Sequence, residues 1–349
     1  MKYALAALLF APVIVACGST TSTPNGNPAE SDASTATDTA KPGDDALITT
    51  KSFTVTFGPV TVPPGKENTQ CVVKRLGNLD KLHVGTVHNV LSTGSHHLIV
   101  YRVNETAEVT TPFDCQPFTD TLDPTKGSPL MITQKHDETL NLPKGVAYSL
   151  DPNQMIRLEM HYVNASSTPK VVTGSSTMIP IADADFKDEA DFLFIGNPDI
   201  KLPPGAKTTV GPVFFKVPDV YADAKFFAIT GHEHQLGTNV KVAVATSATD
   251  PGKAVYDVPD WKWDEPKTEM QDPPFSIPAG GGFNFSCEYM NTTSSEVTFG
   301  EATTKEMCFF WAYYYPSHGA KVCAHTSQAP GGKPVDFCCP GSLFCSFLK

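Results

Sequence analysis

Short apolar and alternating runs, separated by turn residues, dominate the chain from about residue 50 onward. No amphipathic run long enough for three helical turns stands out, and 30 prolines and 25 glycines break the sequence into short pieces. Runs of this length that are rich in β-branched and aromatic residues are typical of strands. We therefore expect strands at Phe53–Phe57, Leu98–Val103, Met155–Val163, Lys225–Thr230, Val240–Thr246, Phe283–Cys287 and Phe309–Tyr315.

The spacing of these runs predicts an all-β fold with two tandem antiparallel jelly-roll β-sandwich domains and a Cys-rich C-terminal tail. Val60–Lys66 is echoed by Ile200–Lys207, each an extended segment with a Pro-Pro-Gly turn, which indicates that a similar unit occurs twice. The polar segment Asp183–Asp191 is interpreted as the linker. The predicted domains are residues 47–182 and 190–317, and the tail is residues 318–349.

The first residues have the pattern of an export signal, in which Lys2 precedes an apolar run that ends at Ala16. About 13 apolar residues reach roughly 20 Å as a helix, which is shorter than a membrane core of about 30 Å. Ile14–Cys17 resembles the bacterial lipoprotein processing box, which implies a signal peptide of residues 1–16 and a lipidated Cys17. Residues 17–46 are rich in Ser, Thr, Asp, Pro and Gly and predict a disordered tether. Gly18 after the cysteine favours the outer membrane, so we expect an exported, lipid-anchored protein.

Composition and charge argue against nucleic-acid binding. The hydrophobic content of 40% is enough for real cores, and the formal net charge is -11. The sequence contains no basic cluster of five or more residues, so it lacks the electrostatic footprint of a nucleic-acid-binding protein.

With Cys17 assigned to lipid, eight of the nine cysteines remain, an even number in a compartment that permits disulfides. Two local pairings suggest themselves, Cys71 with Cys115 and Cys287 with Cys308. The other four would form two bridges within the tail, with a connectivity that the sequence leaves open: Cys323, Cys338, Cys339 and Cys345.

Five of the ten histidines fall in three compact clusters: His96 with His97, His161 alone, and His232 with His234. Residues i and i+2 of a strand share a face, so the last pair offers two nitrogen ligands for copper or zinc. Adjacent histidines point to opposite faces of a regular strand, so joint ligation by the first pair requires a bulge or a strand end. Spacing alone leaves the metal and the reaction open. The remaining histidines match no ligand pattern and are interpreted as solvated or structural: His83, His88, His136, His318 and His325.

A family resemblance narrows these alternatives. The chain resembles the copper type II ascorbate-dependent monooxygenases, the family of peptidylglycine hydroxylase and dopamine β-hydroxylase. Four segments between residues 71 and 316 carry the resemblance in family order: Ser95–Tyr101 with paired histidines, Leu142–Val146 leading to Leu158–Tyr162, Phe227–Gly237 with its His-x-His, and the stretch with Phe299-Gly300, Glu306–Cys308 and Tyr314–Pro316.

The resemblance implies two separate copper sites, one in each domain. His96, His97 and His161 would bind the electron-transfer copper, and the oxygen-activating copper would be bound by His232, His234 and Met307. A thioether beside two imidazoles suits Cu(I), the state that must meet dioxygen. The family also has bridges at the positions of Cys71 with Cys115 and of Cys287 with Cys308.

Departures from the family pattern concern the substrate pocket. Thr230 stands where the peptide-amidating members carry an arginine, so a fixed cation for a peptide carboxylate is missing. Phe309 and Trp311 replace an asparagine and a tyrosine, and Glu159 replaces a glutamine. These differences imply a more apolar pocket for a small organic substrate.

We therefore expect a monooxygenase that hydroxylates an aliphatic or benzylic C–H bond with dioxygen and with ascorbate or a similar one-electron donor. Its partners would be the small-molecule substrate, dioxygen and, through the lipid anchor, a membrane, without nucleic acid. A non-catalytic copper-binding or copper-buffering lipoprotein and a metal-free β-scaffold are the alternatives. Copper stoichiometry and oxygen uptake with ascorbate distinguish the three.

Overall fold

The computed structural model describes residues 51–116, 127–300, 302–328, 333–343 and 345. The expected signal peptide, the lipidated Cys17 and the tether lie outside the described residues. Within the described ranges there are strands and two short 3-10 helices, Asp183–Asp185 and Asp219–Tyr221, but no α-helix. Accordingly, that part of the chain has no helix with the length and apolar character needed to cross a membrane. The all-β class is confirmed.

The first half of the chain forms two sheets. Its strands are β1 (Phe53–Val62), β2 (Glu67–Arg75), β3 (Leu82–Leu91), β4 (Ser95–Val103), β5 (Val109–Asp114), β6 (Gly127–Thr133), β7 (Asp137–Asn141), β8 (Val146–Leu150), β9 (Met155–Val163), β10 (Lys170–Ile181) and β11 (Asp188–Glu189). The first outer sheet has the order β1-β10-β3-β8-β11, with β7 paired to β3. The first inner sheet has the order β5-β2-β9-β4-β6.

The second half forms two larger sheets and one short pair. Its strands are β12 (Asp191–Gly196), β13 (Lys201–Leu202), β14 (Lys207–Lys216), β15 (Lys225–His232), β16 (Gly237–Ala245), β17 (Lys253–Asp257), β18 (Glu269–Phe275), β19 (Gly282–Met290), β20 (Val297–Thr298), β21 (Phe309–Tyr315), β22 (Lys321–Thr326) and β23 (Val335–Cys339). The second inner sheet has the order β18-β15-β21-β12-β22-β23, the second outer sheet is β14-β19-β16-β17, and β13 pairs with β20.

The two inner sheets face each other, and β21 shows why. Its residues Phe309, Trp311 and Tyr313 belong to one hydrophobic core together with residues of the first inner sheet. The alternate residues Phe310 and Tyr314 belong to a second core with the second outer sheet. Successive side chains of a strand point to opposite faces, so a strand that is apolar throughout can be buried on both sides. One of the polar contacts between the layers is made by the Ile132 N–H, which donates to the Tyr313 hydroxyl at 3.2 Å.

All seven strands expected from the sequence are present. β9 and β21 have the predicted bounds, four others extend the predicted runs by a few residues at one or both ends, and β16 begins three residues before and ends one residue before its predicted run. Alternating and continuous apolar runs are thus sufficient to find these strands, because each one lines at least one core.

The echoed Pro-Pro-Gly segments do form similar units. Gly65 and Gly205 both adopt a positive φ, +67° and +68°, which a side chain would strain. The Asn164 amide donates to the Val62 carbonyl at 2.9 Å, and the Asn291 amide donates to the Leu202 carbonyl at the same distance. Each half therefore fixes its turn with a buried asparagine from a later strand end.

The predicted linker and the Cys-rich tail both join sheets. Within the polar segment, β11 pairs in parallel with β8, and Glu189 pairs with the Arg102 guanidinium of β4. In the tail, β22 pairs in parallel with β12, and β23 extends the edge. β12 and β21 run in opposite directions. The chain reverses after β21 and crosses over β12, so the next strand, β22, runs parallel to β12. These two parallel pairs are exceptions in an otherwise antiparallel set of ladders.

The structure contains four disulfides. Cys71 bonds to Cys115 and Cys287 to Cys308, which confirms both local pairings. The tail bridges, which the sequence leaves open, are Cys323–Cys338 and Cys339–Cys345. The first of these joins β22 to β23, so it fixes the register of the two edge strands.

The Cys287–Cys308 bridge ties β19 to the residue just before β21, across 21 residues of sequence. We expect its removal, by Cys287→Ala with Cys308→Ala, to lower the free energy of unfolding by about 3 kcal/mol, because a closed loop of this size constrains the unfolded chain. Denaturant titration measures the loss. The matched control removes Cys339–Cys345, which spans only 6 residues and should cost less. Equal stability of the first variant and the native chain would contradict the expectation.

Candidate metal centre

Five histidines meet where the two inner sheets face each other. His96 and His97 lie on β4, His161 lies on β9, His232 ends β15, and His234 follows two residues later. All five are buried. One ring nitrogen from each of His96, His97 and His161 lies within 4.8 Å of the other two, a spacing that suits a metal ion.

A bulge brings the adjacent histidines together. The register between β4 and β9 shifts between Ser95 and His97, and His97 then lies opposite His161. The ring centroid of His161 is 5.2 Å from that of His96 and 5.0 Å from that of His97. The irregularity that joint ligation requires is therefore present at the expected position.

The second histidine pair lies beside the first set. The His232 and His234 ring centroids are 5.1 Å apart. Across the interface, the His96 centroid is 6.4 Å from that of His232 and 6.2 Å from that of His234. The structure thus brings the histidines of both expected ligand sets into one cluster of rings, whereas the sequence predicts two separate sites.

Met307 lies close in sequence to residues that contact this pair. The β15–β21 ladder ends at the pair His232 and Phe309, and Met307 lies two residues before Phe309, directly after Glu306, whose carboxylate accepts a hydrogen bond from the His234 N–H. Met307 is 4% exposed, and its carbonyl accepts a hydrogen bond from the Tyr289 hydroxyl at 2.7 Å. The disulfide at Cys308 holds the adjacent backbone.

Three of the histidines have a partner that orients the ring. His161 Nε2 lies 2.8 Å from Glu67 Oε1, His232 Nδ1 lies 3.0 Å from Gln134 Oε1, and His234 Nδ1 donates to the Lys305 carbonyl at 3.0 Å. Each of these contacts uses one ring nitrogen, and the other nitrogen of His232, Nε2, is buried without a partner among the described residues. Metal-ligating histidines typically use their second nitrogen in this way.

The donor set fits a copper ion. The Nε2 atoms of His96 and His232 are buried and have no hydrogen-bond partner among the described residues. An unpaired buried nitrogen is costly, and a coordinated metal would satisfy it. Imidazoles combined with a thioether favour copper, whereas zinc would gain little from the methionine.

Two buried carboxyl groups, those of Glu233 and Glu306, adjoin the second set. Glu306 accepts hydrogen bonds from the backbone N–H groups of His234 and Leu236, both at 2.8 Å, and burial raises its pKa to about 7. Burial, together with the nearby Glu306, raises the pKa of Glu233 well above its usual range. Glu306 therefore fixes the backbone that carries His234.

The expected pocket residues divide into two groups. Phe309 and Trp311 are buried and stack on Phe194, with centroid separations of 4.9 and 6.0 Å. The Thr230 hydroxyl lies 2.9 Å from that of Thr268, one strand away. These residues adjoin the second histidine set, since the Trp311 centroid is 6.0 Å from that of His232.

Glu159 lies two residues before His161 on β9, so the two side chains share a face of the first inner sheet. Its carboxylate accepts a hydrogen bond from the Tyr101 hydroxyl at 3.1 Å. Glu159 thus adjoins the first histidine set, whereas the aromatic pocket residues adjoin the second.

The other histidines lie outside the cluster. Three pair with carboxylates, His88 with Asp137, His318 with Asp223, and His325 with Asp336. His83 stacks on Phe186 at 3.8 Å, and His136 Nδ1 lies 3.2 Å from the Leu91 carbonyl. Their interpretation as solvated or structural agrees with these contacts.

Sequence reasoning missed several residues of the centre. Glu67 contacts His161 and Gln134 contacts His232 from distant points in the chain, and the Trp263 ring lies beside that of His96, tilted by 54°, with 5.3 Å between ring centroids. No spacing pattern marks any of them. Of the residues missed, only Glu306 could have been found from the sequence, because it lies beside Met307 in the segment Glu306–Cys308 that carries the family resemblance.

The pH dependence of this centre follows from burial. Burial lowers the pKa of His96, His97 and His232 well below the usual value, and that of His234 to about 4. We expect copper to be retained down to about pH 5, because protons compete poorly for these nitrogens. Dialysis at stepped pH with metal analysis checks this, and loss of most copper between pH 7 and pH 6 would contradict it.

In the metal-free protein, by contrast, the free energy of unfolding should depend on pH. Unfolded histidines titrate near pH 6.5, whereas these folded ones stay neutral, so the unfolded state binds more protons. The free energy of unfolding should therefore fall as the pH drops below about 6.5.

Residues 192–330 match the family model of the copper type II ascorbate-dependent monooxygenase C-terminal domain. Among solved structures, the chain is similar to the major capsid protein P2 from bacteriophage PM2, with 10% identity, 77% of this chain and 100% of that chain covered, and a TM-score of 0.31. It is also similar to N-glycanase F, with 10% identity, 81% and 98% coverage, and a TM-score of 0.30. Overlaps with scores this low carry no argument about fold or function.

Proposed function

We propose that the chain is a copper- and dioxygen-dependent monooxygenase, and the match of residues 192–330 to the family model of the copper type II ascorbate-dependent monooxygenase C-terminal domain supports this. It hydroxylates an aliphatic or benzylic C–H bond of a small organic substrate, with ascorbate or a similar one-electron donor. The observation that carries this proposal is the contact between five buried histidines of both inner sheets, two of which present Nε2 atoms with no partner in the described residues.

Two coppers are assigned to two ligand sets. The first set is His96, His97 and His161, and the second is His232, His234 and Met307. When bound, copper supplies the one-electron transfers and the activation of dioxygen. One oxygen atom enters the C–H bond and the other leaves as water, so two electrons from the donor and two protons from solvent complete the balance.

The chain's own residues hold the ligands and exclude water. The pKa values lowered by burial keep the imidazoles neutral and able to ligate. Gln134 and the Lys305 carbonyl fix the ring orientations of His232 and His234, which supports a preorganised centre.

The substrate is assigned to the side of the second set. Phe309 and Trp311 supply apolar and aromatic surface beside His232, and Thr230 supplies no charge. An uncharged substrate with an activated methylene group suits these residues better than a peptide carboxylate does. Glu159 is assigned to the polar surroundings of the first set, where it affects how water is held.

The four disulfides indicate an exported protein. We propose in addition that Cys17 is lipidated and anchors the chain to the outer membrane through the tether. Residues 47–182 would then carry the electron-transfer copper, and residues 190–317 would carry the oxygen-activating one. The tail strands β22 and β23 complete the second inner sheet.

The test uses the mature chain loaded with copper. We expect two coppers per chain and incorporation of labelled oxygen from dioxygen into an apolar substrate when ascorbate is present. A screen of small benzylic and aliphatic compounds by mass spectrometry finds the product. The matched control is His88→Ala, which removes a histidine that pairs with Asp137 outside the cluster. Tight copper binding without oxygen uptake for any compound would favour the copper-buffering alternative instead.

A further inference from the structure

The Glu67 carboxylate contacts both halves of the molecule. Glu67 begins β2 in the first inner sheet and lies opposite Val163 of β9. Its Oε1 lies 2.8 Å from His161 Nε2 and accepts a hydrogen bond from the Thr303 N–H at 3.1 Å. Its Oε2 accepts a hydrogen bond from the Thr303 hydroxyl at 2.9 Å. One side chain therefore joins a histidine of the first ligand set to a loop of the second half.

That loop positions the second ligand set. Thr303 lies in a turn closed by the Lys305 N–H, which donates to the Ala302 carbonyl at 2.8 Å. The Lys305 carbonyl accepts from His234 Nδ1, and Glu306 accepts from the His234 N–H. Met307 follows directly in the chain. Anything that fixes Thr303 thus also fixes the residues that orient His234 and Met307.

The two carboxylate oxygens of Glu67 suit this arrangement. They lie within hydrogen-bond distance of three donors, His161 Nε2, the Thr303 N–H and the Thr303 hydroxyl. A carboxylate offers acceptor sites on both oxygens, so it can satisfy three donors at once. An amide in its place has one oxygen and would present an N–H to at least one of those donors.

We propose that Glu67 is a positioning residue that fixes the two copper ligand sets against each other across the interface of the inner sheets. The inference rests on the proposed function for its copper part, but the bridge itself concerns only protein atoms. Gln134 provides a second link of the same kind, from the first half to His232. Without Glu67, the Thr303 loop is held to the first half by fewer contacts, and the spacing of the two sets loosens.

The variant Glu67→Gln tests the bridge, and Asp199→Asn is its matched control. Asp199 likewise holds a hydroxyl-rich segment, accepting hydrogen bonds from the Thr326 hydroxyl and from the Ser327 N–H and hydroxyl, but no histidine is among these partners. In the metal-free protein, we expect Glu67→Gln to accelerate amide hydrogen exchange at Thr303 by about tenfold. The control should accelerate exchange at Ser327 and leave Thr303 unchanged.

A second measurement uses the copper-loaded protein. Electron paramagnetic resonance of the oxidised form should show a magnetic interaction between two Cu(II) ions, and Glu67→Gln should weaken it at unchanged copper content. A merely structural role would not change this signal selectively, and Asp199→Asn should preserve it. Unchanged exchange at Thr303, or an unchanged magnetic interaction with two coppers bound, would overturn the proposal. Fewer than two coppers in the native chain would contradict the proposed function, and the exchange measurement then decides the Glu67 bridge alone.

Discussion

Replacing Met307 by leucine is expected to lower the rate of oxygen-dependent product formation at least about a hundredfold while leaving the fold intact. Loss of a residue that only supports a metal ligand typically costs ten- to a hundredfold, and loss of a ligand itself should cost no less. Leucine fills nearly the same volume, so the change in the free energy of unfolding should stay below about 1.5 kcal/mol. The sulfur atom is then the difference that matters.

The reason lies in the position of Met307. Met307 lies two residues before Phe309, which pairs with His232, and the neighbouring Glu306 holds the His234 backbone. A thioether at this position would favour the reduced copper that must react with dioxygen. Leucine provides no donor atom there.

X-ray absorption of the reduced protein gives the direct measurement. We expect a sulfur scatterer at one copper in the native chain and none in Met307→Leu. Met178→Leu is the matched control, because Met178 is fully buried on β10 of the first outer sheet, away from the cluster. A sulfur signal that survives in Met307→Leu would remove Met307 from the ligand set.

Much of the fold could be predicted because its strands carry strong local patterns. Met155–Val163 and Phe309–Tyr315 are nearly continuous apolar runs, and both line the interface between the inner sheets. The edge strands of the tail gave weaker signals. β22 and β23 are short, and the pairing of β22 with β12, which β23 then extends, depends on a crossover that no local pattern records.

The local geometry of the centre was also predictable in part. The bulge beside His96 was expected from strand geometry, and the Cys287–Cys308 pair from proximity in sequence. His232 and His234 are close, as expected, although His234 lies just beyond the end of β15. Each of these features depends on a few neighbouring residues.

The contact between the two histidine sets could not be predicted from neighbouring residues in the sequence. It depends on how one inner sheet lies on the other, which is decided by the packing of many side chains such as Ile132 against Tyr313. Glu67 and Gln134 contribute single polar atoms to that interface from distant points in the chain. Neither residue stands in a motif, so only the packed structure shows their partners.

The second large effect concerns substrate charge. We expect a peptide that ends in a glycine carboxylate to be processed at least about a hundredfold less efficiently than the same peptide capped as a neutral ester. Thr268 donates a hydrogen bond to the Glu138 carboxylate at 2.6 Å, so the Thr230 hydroxyl must donate to Thr268 and has no proton left for a substrate anion. A substrate carboxylate placed there would meet an acidic side chain rather than the arginine of the amidating enzymes.

Competition between the free acid and its ester, measured as kcat/KM with labelled dioxygen, isolates the effect of the substrate's negative charge, because the two substrates share every other group. The variant Glu138→Gln is the matched control in the protein. It removes the acidic charge behind Thr268, and it should reduce the preference for the ester over the free acid without reversing it. Thr230→Arg should not restore the acid fully, since Thr230 is 2% exposed and a larger side chain must displace its bond to Thr268. Equal turnover of acid and ester by the native chain would show that a cation outside the Thr230 environment receives the carboxylate, and the assignment of an uncharged substrate would be wrong.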